Sequence, residues 1–188
     1  MKKLLPLIIV LGLLLMVGGW LSGQYNGMVR SDQGVKAAWS QVENVLQRRF
    51  DLIPNLVETV KGYASHERET LEAVTNARSR VAGAGSVDDK ITANNELSSA
   101  LSRLLVVVEQ YPDLKANQGF INLQDELAGT ENRISVERGR YNEAAKTYNV
   151  QVKSFPTVLI ANMMGFKEAK LFEAAAGAAQ APKVDFSK

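Results

Sequence analysis

The 188-residue sequence has no cysteine, one histidine, five prolines and an aromatic share of only 7%. Without a thiol there is no disulfide framework, thiolate zinc site, iron–sulfur cluster or cysteine nucleophile. A single imidazole removes multi-histidine metal sites. A serine nucleophile needs a nearby base, and the one imidazole, His66, reads as an exposed residue near a helix start. Charge of one sign is also scarce. Lys and Arg total 22 against 20 Asp and Glu, and a net charge of +2 is too small for the basic patch of a nucleic-acid-binding module. The length favours one domain of ordinary size.

What the sequence does have is one long apolar run. No charged residue occurs from Leu4 to Val29, and the 18 residues from Leu4 to Leu21 are apolar apart from three glycines and Pro6. At 1.5 Å per residue such a helix is about 27 Å long, close to the roughly 30 Å of bilayer hydrocarbon. The run is longer than the apolar region of a cleaved signal peptide, and Leu21-Ser22-Gly23 is a poor match to a small-residue cleavage site. Residues 1–23 therefore read as an uncleaved transmembrane anchor. Lys2 and Lys3 precede the run, and the nearest charges after it are Arg30, Asp32 and Lys36. The positive-inside rule then places the N-terminus in the cytoplasm, with the membrane crossed once and residues 30–188 outside, in a periplasm or its equivalent. Trp20 and Tyr25 suit the far interface, and ordinary helix surface explains them equally well.

Beyond the run, Pro54, Pro112, Pro156, Pro182 and the glycines at 83 and 85 are the main breakers. Between them the apolar residues recur at helical spacing, as in Val35, Trp39, Val42, Leu46, Ile53, Leu56 and Val60, and no stretch alternates with period two. The fold class is all-α. Helices are expected at about 28–61, 66–82, 88–110 and 116–155, forming an antiparallel four-helix bundle over residues 24–156. Pro54 should kink the first helix and free the carbonyl of Phe50. Gly62 looks like a glycine just past a helix end, with Ser65 capping the next helix. Asp88 is an N-cap or a first-turn acid, and Tyr111-Pro112 and Phe155-Pro156 stop the helices before them. The last helix alone is about 60 Å long, a rod too slender for an enzyme cleft.

Residues 157–188 form a third region, apolar to Phe172 and then rich in alanine. If Gly62–Ser65 is a true turn, the even helix count returns Phe155 to the bilayer; a helix unbroken through Gly62 makes the count three and points the tail away. Met163, Met164 and Phe166, followed by Lys167 and Lys170, then suit the membrane surface, where apolar side chains enter the acyl boundary and lysines face headgroups. The alternative is that they cap the open end of the bundle core.

No constellation carries chemistry. Glu-x-x-His motifs of di-iron bundles are missing. Gly83-Ala84-Gly85-Ser86 lacks the Gly-Lys-Ser/Thr of a phosphate loop. No catalytic, metal or cofactor residue is assigned. More unusual are polar residues beside the apolar stripe: Asn55, Asn132, Asn142 and Asn149, with Tyr-Asn at 141–142 and again seven residues later at 148–149, on one helix face. A polar seam of this kind fixes register or forms an oligomer contact, unless it merely edges the stripe. Trp39, Tyr141 and Tyr148 are candidate aromatic anchors of a homo-oligomer, burial within the protomer being the other reading. Arg48 and Arg49 are a candidate interaction patch or a solvated face.

The blocks Ala38-Trp39-Ser40-Gln41-Val42, Arg48-Arg49-Phe50-Asp51-Leu52-Ile53-Pro54-Asn55-Leu56-Val57, Val60-Lys61-Gly62-Tyr63, Tyr111-Pro112-Asp113-Leu114-Lys115-Ala116-Asn117, Glu131-Asn132-Arg133-Ile134, Tyr141-Asn142 and Ser154-Phe155-Pro156 closely resemble the signature of the LemA family. The resemblance runs from about residue 22 to 173. It implies a single membrane anchor followed by an antiparallel bundle of long helices. It also implies membrane-related roles: one branch contributes to magnetosome membrane formation, and other members look associated with membrane-protease quality control. No catalytic residue carries over. The leading expectation is a non-enzymatic scaffold of the cell envelope that touches the lipid bilayer and self-associates. An adaptor for a membrane metalloprotease and a membrane-organising protein are the alternatives.

Overall fold

The computed structural model describes the backbone of residues 5–172 and side-chain surroundings from residue 7 onwards. Lys2, Lys3 and the alanine-rich stretch after Phe172 lie outside the described residues. The described residues form six helices: α1 (Leu5–Tyr63), α2 (Arg68–Gly83), α3 (Val87–Val108), the single turn α4 (Pro112–Lys115), α5 (Gln118–Lys153) and α6 (Thr157–Met164). The described residues contain no strand.

α1 joins the apolar run and the first bundle helix without a break over 59 residues, a rod of about 90 Å. No helix end separates residue 23 from residue 24; the transition lies in burial. Leu7 to Val17 are exposed, whereas Met28 is fully buried. The exposed part is long and apolar enough to cross a membrane, by length and composition.

α5 returns antiparallel along α1. Ser31 donates to Gln151 at 2.7 Å, the rings of Trp39 and Tyr141 are 5.4 Å apart, and Arg48 meets Glu126 at 2.7 Å. As the number on α1 rises, the partner's number on α5 falls. α2 and α3 form a hairpin, tied by Arg80 to Glu96 at 2.6 Å. It lies against the half of the bundle far from the apolar run, where Ile53, Leu56, Val60, Leu71, Val74, Leu97, Leu104 and Phe120 share one core. A second core in the near half joins Met28, Trp39, Val42, Ile134, Tyr141, Tyr148 and Val152.

The expected helix count of four is therefore met in the bundle, but several ends are made differently. Helix α1 runs through Gly62, which is an ordinary helical residue; among the described residues only Gly165 has positive φ. The turn falls at residues 64–67, and α2 starts after Glu67 with no side-chain cap from Ser65. Ser86 caps α3 in a reciprocal box with Asp89, and Asp88 takes the first-turn acid position. That arrangement satisfies two otherwise unpaired N–H groups at the helix start. Asn117 caps α5 by accepting from the Phe120 N–H at 3.0 Å.

Candidate functional site

The α2–α3 hairpin ends at the loop around residues 84–86, beside Glu43 and Leu46 of α1. From there towards the apolar run, two antiparallel helices alone cannot enclose a core. The chain fills the gap with its own C-terminal segment. Helix α6 stops at Gly165, in the left-handed region with φ +78°, and residues 166–172 then run along α1 and α5 as a strap.

Two asparagines hold this strap by its backbone. Asn149 donates from Nδ2 to the Ala169 carbonyl and accepts the Ala169 N–H at Oδ1, both at 2.8 Å. Asn142 does the same with Phe172, both bonds at 2.9 Å. Seven residues of helix rise about 10.5 Å, and three residues of extended chain span about 10 Å, so the match requires a strap that is nearly extended. Its polarity is opposite to that of α5. The tyrosine before Asn142 also reaches the strap: the Tyr141 hydroxyl donates to the Lys170 carbonyl at 2.8 Å. The asparagine clamp is thus one device used twice.

Apolar contacts seal both ends. Phe172 stacks on Trp39 with ring centroids 6.0 Å apart and meets Tyr141 edge-on at 5.6 Å. Phe166 meets Tyr25 edge-on at 5.9 Å. The Arg138 guanidinium sits 4.8 Å from the Phe172 ring. Its Nε and Nη2 are buried without a hydrogen-bond partner among the described residues. Burial lowers the Arg138 pKa, and the charge of Glu131 opposes this. A cleft of about 480 Å³ runs beside the strap, with Trp39, Tyr141 and Tyr148 on its wall.

The expected interaction residues fall into different places. Trp39, Tyr141 and Tyr148 are buried in the protomer beneath its own strap. Arg48 and Arg49 do not form one patch. Arg48 is half-exposed against Glu126, while Arg49 is only 2% exposed. The Arg49 Nη2 donates to the Ser98 hydroxyl at 2.9 Å, and its Nη1 lies 3.0 Å from Glu131, linking α1, α3 and α5. Burial lowers the Arg49 pKa, with Glu131 raising it and Arg138 lowering it further.

Trp20, Tyr25, Met163 and Met164 are exposed, whereas Phe166 is partly buried by Tyr25 and the near core. Phe155 (81%), Leu159 and Met163 (76%) extend the exposed apolar surface around α6. The Thr157 hydroxyl bonds to the Gln24 side chain at 3.4 Å, which sets this surface directly beyond the apolar run of α1. His66 is exposed in the α1–α2 turn. Among the described residues no three His, Asp or Glu side chains converge as a metal site. Sequence reasoning did not identify the strap contacts of Asn142 and Asn149; the seven-residue Tyr-Asn spacing was the available signal.

A model described as the LemA family matches residues 38–186, most of the bundle and the whole strap. The chain belongs to the LemA family. Among curated relatives, magnetosome protein MamQ 2 of Paramagnetospirillum magneticum is 28% identical over 176 residues, covering 80% of this chain and 65% of the relative. Magnetosome protein MamQ of Magnetospirillum gryphiswaldense is 27% identical, with 79% and 64% covered. Protein LemA of Metamycoplasma hominis is 26% identical, with 81% and 70% covered. The chain thus spans a little under two thirds of the length of these MamQ relatives. An apolar N-terminal helix and membership of the LemA family fit a membrane protein.

Proposed function

We propose that this LemA-family chain is a non-enzymatic scaffold of the bacterial cell envelope, anchored through α1 in the inner membrane, seated on the bilayer by α6 and self-associating in its plane. One observation carries the reading: Phe155, Leu159, Met163 and Met164 are exposed at the point where α1 leaves its apolar run. An exposed apolar patch of this kind marks an interaction surface, and its position next to a membrane-length helix makes lipid the natural cover. The magnetosome relatives support association with a membrane. The bundle faces the side opposite Lys2 and Lys3, in keeping with the positive-inside rule.

The test is a bimane label at Met163→Cys in reconstituted full-length protein. Lipid-borne quenchers should quench it strongly, and a label at Ser79→Cys on the distal hairpin should be unaffected. Equal response at both positions would refute the seating on the bilayer. Self-association is tested separately, by co-purification of two differently tagged copies expressed together.

A further inference from the structure

The strap is held in an unusual way for part of a core. Among the described residues the side chains of Asn142 and Asn149 hydrogen-bond only to backbone groups of Phe172 and Ala169, as does the hydroxyl of Tyr141 to Lys170. Outward side chains such as Lys167, Glu168, Lys170 and Leu171 remain exposed. This is how a groove binds an extended peptide: main-chain hydrogen bonds supply affinity, and pockets for a few alternate side chains supply selectivity. The pockets here accept a small residue at 169 and an aromatic one three positions later, against Trp39 and Tyr141.

We propose that the Asn142–Asn149 ladder with its Trp39–Tyr141 wall is an extended-peptide site, and that its ligand in trans is the 166–172 strap of a second copy. The inference rests on the self-association proposed above and gives it a contact. The structure itself shows that this segment fits the groove. Copies anchored by α1 in one membrane hold their grooves at one height and in one orientation, and confinement raises the effective concentration of a neighbour's strap. Exchange sacrifices no interaction, because the incoming strap forms the same bonds as the outgoing one. Gly165, in a left-handed conformation with open space around it, joins the strap to α6 and can redirect it.

The absence of cysteine makes the test direct. Lys153 at the end of α5 and Glu168 in the strap form an exposed ion pair at 2.7 Å, so Lys153→Cys and Glu168→Cys place thiols on the groove side and the strap side. Both changes in one full-length chain should give an intramolecular adduct with a short bismaleimide. When they are divided between two differently tagged full-length copies in the same membrane, a covalent heterodimer is expected. Its yield should fall about tenfold when the groove-bearing copy also carries Asn142→Asp and Asn149→Asp, which remove the amide donors. Ala169→Pro in the strap-bearing copy, which removes the N–H that Asn149 accepts, should have the same effect without altering a helix.

Co-purification of the tags without a heterodimer adduct, in chains that do crosslink internally, overturns strap exchange and leaves self-association standing. Failure of co-purification and crosslinking together overturns both. A heterodimer adduct insensitive to all three substitutions means mere adjacency and also refutes the exchange. Failure of even the intramolecular adduct removes the strap from the groove and the proposal with it.

Discussion

The Nε of Arg78 in α2 donates to the carbonyl oxygen of Phe50 in α1 at 3.3 Å, and its guanidinium lies 3.8 Å from the Phe50 ring centroid. That carbonyl is the one Pro54 deprives of a helical donor four residues on. The hairpin therefore supplies from another helix the partner that α1 lacks. Arg78→Met should destabilise the protein by about 1–3 kcal/mol, through one charged hydrogen bond and a stacked cation. Adding Pro54→Ala restores an internal donor for Phe50, so the cost of Arg78→Met should shrink in that background. Urea midpoints of the four variants in a double-mutant cycle measure this, and a cost that is unchanged by Pro54→Ala would contradict it.

Arg49 and Glu131 give a directional prediction. Glu131→Ala leaves a buried guanidinium facing only the Ser98 hydroxyl, whereas Arg49→Met removes the charge that needs a partner. The first should cost about 1–3 kcal/mol, below the value for a fully buried pair because Glu131 is half exposed. The second should cost less. Thermal melts that rank the two in the opposite order would overturn this account.

The Ser86 hydroxyl and backbone N–H hold the Asp89 carboxyl below its ordinary pKa. A carboxylate with a lowered folded pKa contributes stability above its unfolded pKa, and that contribution fades as pH falls through the folded value. Acidification from the ordinary carboxylate range downwards should therefore fray the start of α3. In Ser86→Ala the hydroxyl bond is gone, so Asp89 should titrate higher, as read by carboxyl NMR chemical shifts.

At the other end of the scale, burial raises the pKa of the Tyr141 hydroxyl, with the charge of Asp88 adding to the effect. The neutral phenol donates to the Lys170 carbonyl, so this contribution is complete below the ordinary tyrosine pKa and is lost as pH rises through the folded value. Tyrosinate absorbance should show one fewer late-titrating group in Tyr141→Phe, since the hydrogen bond to Glu67 also raises Tyr111 and burial also raises Tyr148. That variant keeps the ring contacts with Trp39 and Phe172 and should cost only about 0.5–1.5 kcal/mol.

The proposed orientation rests on the charges that flank the apolar run. Protease added to spheroplasts should digest the bundle from about residue 30 onwards while an N-terminal tag stays protected. Cleavage of the tag with a protected bundle would reverse the orientation.

The sequence by itself determined the all-α class, the membrane-length run and the four long helices of the bundle, but not the short α4 and α6. Each is a local or periodic property: uninterrupted apolar residues, breakers at Pro112 and Pro156, and repeats of three and four. It also marked Pro54 as the place where the Phe50 carbonyl would be freed. Only the tertiary structure showed that Arg78, 28 residues further on, fills that vacancy. Likewise, Arg49 has the same local sequence appearance as Arg48, and burial alone separates them, because facing direction depends on where α3 and α5 pack. The Asn142–Asn149 ladder was visible as a spacing but not as a function. Side-chain amides that bond to backbone impose almost no requirement on the identity of their partner, so the strap they hold leaves little trace in its own residues.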